Sequence, residues 1–300
     1  RFNKKLPKLK FLDIDDFRKQ LDFFESHYGF VSKKDFFDSL KTGKVNKGVI
    51  LTFDDGLKCH FDYVYKELIE RNLWGIFYIS SQFYEERLIN DVHLNHILLS
   101  NVDPKKIYEY LIDNFHFIYE NQVNYKGKIY TAQKNDFYTT QVKSMLNYFC
   151  SHERKSYVTK KLINEFSINK TLFCNYYLTI KEIEDMDDNG MLFGSHSHSH
   201  KLMSEASIER QKFEIDESFK FIKKCAPKSY KTKTFCYPFG GFHSFNNSTQ
   251  NILNKRNVLF SFNVEHRDIN KHDLLKRPQS LPRYDCNFFP NGKIWNYHEK

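Results

Sequence analysis

Apolar and polar positions near the start of the chain predict strands and helices in turn. Residues 48–53 form a short apolar run rich in strand-forming residues, which ends abruptly at Asp54, Asp55 and Gly56. This pattern is typical of a buried strand that carries acidic residues at its carboxyl end. Residues 60–71 have helical periodicity and residues 76–79 are again apolar, so we expect a β–α–β unit here.

The same alternation resumes in the second half of the chain, and two helices precede the first strand. Ser32 followed by Asp35 has the form of a capped helix start, and Thr179 with Glu182 has the form of a capping box. At least four β–α units follow from the pattern, which predicts a parallel sheet or barrel. The remaining predicted segments are helices over 15–28, 180–190, 207–225 and 247–255 and strands over 191–193, 233–237 and 258–262.

Residues 82–177 interrupt this alternation. The segment is polar, aromatic and mostly helical in period, as at 141–150 and 157–166. We interpret it as a mainly helical insertion within a single domain that spans residues 1–300. One role for it is a lid or side wall that narrows substrate choice, and the alternative is a dimerisation or stability element.

Composition excludes some classes of protein. The 300 residues are 40% hydrophobic and 28% charged, and no apolar run reaches the length of a transmembrane segment. The formal net charge is +9, but the lysines are scattered and no basic stripe alternates with stacking aromatic residues, so we expect no nucleic-acid partner. The six cysteines include no CxxC pair, which slightly favours the cytoplasm over the periplasm or cell envelope.

Two polar clusters lie where an α/β fold places its active site, at the carboxyl ends of predicted strands. One is Asp54 with Asp55, and the other is the histidine-rich run that contains His196 and His200. Alone, the first is also typical of a tight turn, and the second of a surface loop that binds nickel adventitiously. Together they provide a carboxylate and two imidazoles, an open ligand set that suits Zn²⁺ or another divalent first-row ion and leaves a second carboxylate as a base.

Four motifs resemble those of the polysaccharide deacetylase family (NodB homology, carbohydrate esterase family 4), and they occur in family order. LTFDDG at 51–56 resembles the first motif, and GSHSHSHKL at 194–202 resembles the second. FCYPFG at 235–240 is similar to the third motif in its aromatic-Pro-Phe-Gly variant, and LPR at 281–283 looks like a late Leu-x-Arg. The resemblance implies a distorted (β/α)7-type barrel with the helical insertion.

The resemblance also implies roles for individual residues. Asp54 corresponds to the general base, and Asp55, His196 and His200 correspond to the metal ligands. The backbone N–H of Phe239 corresponds to the group that helps to stabilise the oxyanion of the tetrahedral intermediate. The second-motif serine, Ser197, is expected to brace its loop through the hydroxyl, and His198 falls on a variable position of the motif.

The chain departs from the family pattern at two places. Many members have an arginine that orients the catalytic aspartate where this chain has Cys236, and we expect Arg283 to substitute for it. Many also have a Leu-x-His whose histidine protonates the leaving amine, and no such motif follows Leu281. The general acid is therefore unassigned, and the late histidines are His243, His266, His272 and His298.

The leading functional hypothesis is hydrolysis of the N-acetyl amide of an amino sugar in a polysaccharide or glycan intermediate, with release of acetate. Zn²⁺ is the expected cofactor, and Co²⁺, Fe²⁺ and Ni²⁺ are alternatives that ligand type does not separate. The partner would be an N-acetylated carbohydrate, and oligomeric state stays open. The alternatives are a carbohydrate-binding or scaffold protein that keeps the metal but has lost turnover, and a related metal hydrolase of another amide or an O-acetyl ester.

Overall fold

Six parallel strands form one sheet, and their order across the sheet is their order along the chain. The computed structural model describes residues 12–125, 129–130, 135–169 and 175–292. Each strand pairs in parallel with the next, so β1 and β6 are the two edges of this sheet. The strands are β1 (Leu51–Phe53), β2 (Gly75–Ile79), β3 (Leu192–Ser195), β4 (Thr234–Cys236), β5 (Phe260–Val264) and β6 (Leu281–Arg283).

This sequential parallel order is the arrangement of a β/α barrel, so the predicted α/β class and barrel-type fold are confirmed. The described residues hold six strands of the seven that the family fold implied. In chain order the α-helices are α1 (Ile14–His27), α2 (Lys33–Thr42), α3 (Lys66–Glu70), α4 (Gln82–Glu86), α5 (Asp91–Asn101), α6 (Pro104–Asn114), α7 (Gln122–Tyr125), α8 (Phe137–Ser144), α9 (His152–Glu165), α10 (Ile180–Asp188), α11 (Ile208–Cys225), α12 (Pro227–Tyr230), α13 (Asn247–Lys255) and α14 (Lys271–Lys276).

The chain divides into two compact units, and the first contains residues 13–88 and 175–291. This unit holds the whole sheet, and most residues of its strands are buried. All five residues of β2 are buried, and Phe77 stacks on Phe53 with ring centroids 4.9 Å apart. Gly194 in β3 has no room for a side chain, since a Cβ there would lie 2.4 Å from the Tyr78 ring. A close strand contact therefore requires glycine at this position.

Local signals in the sequence explain several helix starts of this unit. The Asp13 side chain accepts a hydrogen bond from the Asp15 N–H at the start of α1, and Ser32 caps α2 through the Asp35 N–H. The predicted capping box at α10 is present in both directions, between Thr179 and Glu182. These caps satisfy backbone donors that the first turn of a helix leaves unbonded.

The second unit contains residues 89–174, and its described residues form helices α5 to α9 with no strand. Its buried apolar side chains include Ile97, Leu111 and Leu146. Asn147 connects three parts of this unit, because it accepts from Asn95 at 2.9 Å, donates to the Tyr130 hydroxyl at 2.8 Å and accepts from Lys155 through its carbonyl at 2.8 Å. The insertion is therefore mainly helical, as predicted.

Several predicted bounds differ from the structure. Residues 60–71 begin as a π-helix, His60–Tyr65, before α3, and β5 lies two residues later than the predicted strand over 258–262. β6 was expected only as a motif and not as a strand. The interpretation of residues 1–300 as a single domain stays a prediction. No helix in the described part of the chain has the length and hydropathy needed to cross a membrane.

Candidate active site

The predicted polar residues lie together at the end of the sheet where the parallel strands have their carboxyl ends. Asp54 directly follows β1, His196 directly follows β3, and Arg283 is the last residue of β6. Parallel strands all end on the same side, which explains how residues from distant parts of the chain meet there. The sheet therefore provides the frame on which the candidate site is built.

Asp55, His196 and His200 form a compact group of ligand atoms. Their donor atoms all lie within 4.8 Å of one another. The Nε2 atoms of His196 and His200 lie 3.7 Å and 3.4 Å from Asp55 Oδ1. One carboxylate and two imidazoles are a donor set that suits Zn²⁺ and related ions, so the residues fit a divalent metal.

The ring of His196 is oriented by a backbone group. Its Nδ1 lies 2.7 Å from the carbonyl oxygen of Cys236, so Nδ1 carries the proton and donates to that oxygen. This leaves the lone pair on Nε2, the atom that faces Asp55. Hydrogen bonds of this kind fix the tautomer and orientation of metal-binding histidines. This orientation leaves His196 Nε2 available to bind a metal ion.

The histidine loop, residues 196–200, is stabilised by hydrogen bonds of its own serine, as we expected for Ser197. The His200 N–H donates to Ser197 Oγ at 3.0 Å, and the Ser197 N–H donates to Ser195 Oγ at 3.2 Å. The Ser80 hydroxyl donates to the His196 carbonyl at 2.9 Å, which ties the loop to the end of β2. These bonds hold both histidines in one conformation of the loop.

A fully buried carboxylate supports the same loop from α11, and sequence reasoning did not identify it. Glu214 is 0% exposed and accepts from the Ser199 N–H at 2.7 Å and from the Ser199 hydroxyl at 2.5 Å. Arg210 compensates its charge with bonds of 3.0 Å and 2.6 Å to Oε1. Since Ser199 precedes His200, Glu214 fixes the backbone that carries this ligand.

His198 does not join the group of three ligands. It is buried, with Nδ1 2.8 Å from Ser81 Oγ and Nε2 3.1 Å from Glu86 Oε1. Its carbonyl also accepts from the Gln82 N–H at 2.9 Å. His198 therefore connects the histidine loop to α4, which agrees with its assignment to a variable position of the motif.

Arg283 is the hydrogen-bonding partner of the Asp54 carboxylate. Its Nη1 donates to Asp54 Oδ1 at 2.9 Å and to Thr52 Oγ1 at 3.0 Å, and its Nη2 donates to Asp54 Oδ2. Burial raises the pKa of Asp54, but the charge and hydrogen bonds of Arg283 oppose this effect, and the pKa lies below its ordinary value. Asp54 is therefore a carboxylate at neutral pH.

Cys236 lies beside this pair. Its Sγ is 3.8 Å from Asp54 Oδ2, and burial raises the pKa of the thiol well above its ordinary value. The side chain is 0% exposed. A neutral thiol therefore fills the position of the usual arginine, while the guanidinium of Arg283 reaches Asp54 from β6.

The loop after β4 places Phe239 against the ligand group. The Phe239 ring packs edge-on against His200, with centroids 4.9 Å apart. Its backbone has φ of +68°, a left-handed conformation that is uncommon for a residue with a side chain. Asp55, Ser197 and His200 also have left-handed backbones, with φ of +79°, +62° and +53°. Such conformations cluster at functional sites, where the surrounding structure holds them.

The late histidines are placed differently from the sequence interpretation, which found none in a strand-end context. His266 lies two residues beyond the end of β5, so it is at the carboxyl ends of the strands, as Asp54 is. Its ring packs on Phe288 with centroids 3.9 Å apart, and burial lowers its pKa. The later position of β5 could have been inferred from the alternation of Phe260, Phe262 and Val264 with polar residues. His298 lies outside the described residues.

One protein-family model matches part of this chain. A family model described as polysaccharide deacetylase matches residues 135–261, a segment that contains the second and third motifs. Comparison with curated proteins gives no match.

Solved structures share the fold at low sequence identity. The structure of the Streptococcus pyogenes deacetylase PplD in complex with acetate is similar with a TM-score of 0.56 and 16% identity, over 95% of this chain and 86% of that chain. The BpsB deacetylase domain from Bordetella bronchiseptica gives a TM-score of 0.50 and 10% identity, over 92% of this chain and 84% of that chain. The chain is therefore similar to polysaccharide deacetylases over residues 135–261 and shares its fold with these two structures.

Proposed function

We propose that the protein is a metal-dependent hydrolase that removes the acetyl group from an N-acetylated amino sugar of a polysaccharide or glycan intermediate. The observation that supports it best is the group of Asp55, His196 and His200 beside an Asp54 carboxylate that Arg283 holds in place. The match to the polysaccharide deacetylase model supports carbohydrate deacetylation as the general reaction. Zn²⁺ is the proposed ion, with Co²⁺, Fe²⁺ and Ni²⁺ as alternatives.

Asp55, His196 and His200 would hold the ion. When bound, a divalent ion would supply Lewis acidity, which lowers the pKa of water towards neutral pH and polarises an amide carbonyl. Asp54 accepts a proton from water as the water oxygen attacks the acetyl carbon. Arg283 keeps the Asp54 carboxylate ionised and oriented for this step. The backbone N–H of Phe239 donates to the oxyanion that develops.

The carbon–nitrogen bond then breaks, and the leaving nitrogen takes up a proton. In this proposal Asp54 returns the proton that it accepted, so a separate Leu-x-His histidine is not needed. The products are acetate and a free amine. One residue thus serves as base and then as acid, which compensates for the departure from the family pattern.

The binding-protein alternative rested partly on Cys236, which replaces the expected arginine. The contact between Arg283 and Asp54 removes part of this motivation, because the aspartate still has a guanidinium partner. A hydrolase of another amide or of an O-acetyl ester would use the same residues. Analysis of the products separates that reaction from amide hydrolysis on a sugar.

The test is acetate release from N-acetylated sugars, from monosaccharides to oligomers, after chelation and addition of Zn²⁺ or Co²⁺. Wild type should release acetate only with metal added, and Asp54→Asn should bind metal without releasing acetate. Asp38→Asn, at a largely exposed position on α2, is the matched control. Full activity in Asp54→Asn would remove Asp54 as the base, and metal binding without acetate release from any substrate would favour the binding protein.

A further inference from the structure

Two short segments of the first unit lie on either side of the inserted helical unit in the sequence. Residues 82–88 come before the inserted segment 89–174, and residues 175–178 come after it. Each of the two segments is hydrogen-bonded to one of the two loops that carry the proposed metal ligands. Neither segment contains a residue of the proposed metal site or of the proposed reaction, so these bonds act on the site from outside it.

The segment after the insertion holds the loop 54–58, which contains Asp55. The Leu178 N–H donates to the Gly56 carbonyl at 2.9 Å. This bond belongs to an antiparallel bridge that pairs Leu57 with Tyr177, and both of these side chains are buried. Because Gly56 directly follows Asp55, the bridge restrains the backbone of this ligand on its carboxyl side.

The segment before the insertion holds the histidine loop. The Gln82 N–H donates to the His198 carbonyl at 2.9 Å, and Nε2 of the His198 ring lies 3.1 Å from Glu86 Oε1. His198 lies midway in the chain between the proposed ligands His196 and His200. Helix α4 is therefore bonded to the centre of the loop that carries both ligands.

One aromatic contact joins the two segments. The ring centroids of Phe83 and Tyr177 lie 4.6 Å apart, with an interplanar angle of 41°. Phe83 is next to Gln82, which is bonded to the histidine loop, and Tyr177 is next to Leu178, which is bonded to the loop that contains Asp55. A continuous series of contacts therefore connects the two ligand-bearing loops through protein groups alone.

We propose that Phe83 and Tyr177 are positioning residues, which set the distance between Asp55 and the two histidines before a metal ion binds. If the loops were not connected, the ion itself would have to bring them together, and part of the binding free energy would be spent on ordering them. The inference rests on the proposed function for its metal site, whereas the contacts that carry it lie outside that site.

The first experiment measures metal affinity rather than turnover. Co²⁺ titration of metal-free protein, followed by visible absorption, should show about tenfold weaker binding in both Phe83→Ala and Tyr177→Ala. The double variant should bind little more weakly than either single variant, because both substitutions remove the same contact. Phe83 is only partly buried, so Phe83→Ala is expected to fold, and Tyr177→Phe keeps the ring and should bind Co²⁺ as wild type does. Phe37→Ala is the matched control, since Phe37 is also partly buried but packs near Phe260 at the start of β5.

The second experiment tests the connection without a metal. Hydrogen exchange of the metal-free Tyr177→Ala protein should be faster at the Gln82 and His200 amides as well as at the Leu178 amide, because release of one segment loosens the other. Phe83→Ala should likewise speed exchange at Leu178. Phe37→Ala should leave exchange at all three amides unchanged.

The outcomes separate this inference from the proposed function. Unchanged Co²⁺ affinity in both alanine variants, or faster exchange confined to the substituted segment, overturns the inference even if wild type releases acetate. Weaker Co²⁺ binding together with faster exchange in both loops supports it even if wild type releases no acetate from any sugar. If wild type binds no Co²⁺, the proposed metal-dependent reaction fails, and the exchange result alone decides whether the two loops are connected.

Discussion

Arg283 and Asp54 are 229 positions apart in the chain, yet Arg283 Nη1 donates to Asp54 Oδ1 at 2.9 Å. Arg283 ends β6 and Asp54 follows β1, and these are the two edge strands of the sheet. One ion pair therefore orients the proposed base and also joins the two edges of the sheet.

Replacing Arg283 by glutamine should lower kcat about ten- to hundredfold, because Asp54 loses the partner that orients it. The measurement is the steady-state rate of acetate release at saturating metal. Arg256→Gln, which removes an arginine paired with Asp216 on α11 away from the strand ends, is the control and should keep the wild-type rate. Wild-type kcat in Arg283→Gln would show that Asp54 needs no guanidinium partner.

Asp55→Ala and His200→Ala should each abolish stoichiometric metal binding, since three protein donors are the minimum of the proposed site. Asp54→Asn should still bind one equivalent of metal. Equilibrium dialysis followed by elemental analysis gives the stoichiometry. One equivalent retained in His200→Ala would place the ion elsewhere.

Glu214→Ala should weaken metal affinity about ten- to hundredfold although Glu214 touches no ligand side chain, because it fixes the backbone that precedes His200. Titration with Co²⁺ followed by its visible absorption measures both affinity and ligand geometry. Glu217→Gln on the same helix, paired with Lys220, is the control. A Glu214→Ala protein with a lower melting temperature but an unchanged Co²⁺ spectrum and affinity would give Glu214 a stabilising role alone.

Asp273 makes the free energy of unfolding depend on pH. Hydrogen bonds from Arg267 outweigh burial and, with the Asn270 backbone and the charges of Arg267 and Arg277, lower its pKa below the ordinary value of 3.8. A carboxyl whose pKa is depressed on folding stabilises the protein above its unfolded pKa, and that stability is lost as pH falls through the folded pKa.

Asp273→Asn should therefore unfold more easily at pH 7, by about 1–3 kcal/mol, and the difference from wild type should shrink as the pH is lowered below 3.8. Urea unfolding between pH 7 and pH 3 measures this difference. The exposed Asp38→Asn variant should follow the wild-type curve. A difference that is constant over this range would mean that Asp273 acts through shape and not charge.

The local pattern of the sequence was sufficient to predict the strands that precede the proposed metal ligands. Asp54 and His196 each follow an apolar run. Ser32 and Thr179 cap helices through backbone N–H groups only three residues further along the chain. Signals of this kind act over short stretches of chain, so they can be read without knowing the fold. The same holds for the polar, helical character of residues 82–177.

Contacts between distant segments could not be predicted in this way. Glu214 lies on a long amphipathic helix and reads as one of its many acidic residues, and only the packed structure shows it buried against Ser199. β6 contains Pro282 and is three residues long, so its propensity is weak, and its pairing with β5 determines its conformation. Arg283 was expected near Asp54 from the family motif, not from any pattern of its own.

The sequential order of the strands has a consequence for how the protein folds. Because the edges β1 and β6 come from opposite ends of the sheet-forming chain, contact between them spans nearly the whole sequence, and closing such long loops is slow. The proposed metal ligands follow β1 and β3, whereas the proposed catalytic pair of Asp54 and Arg283 also requires β6. A refolding chain should therefore gain the ability to bind metal before it gains the ability to react.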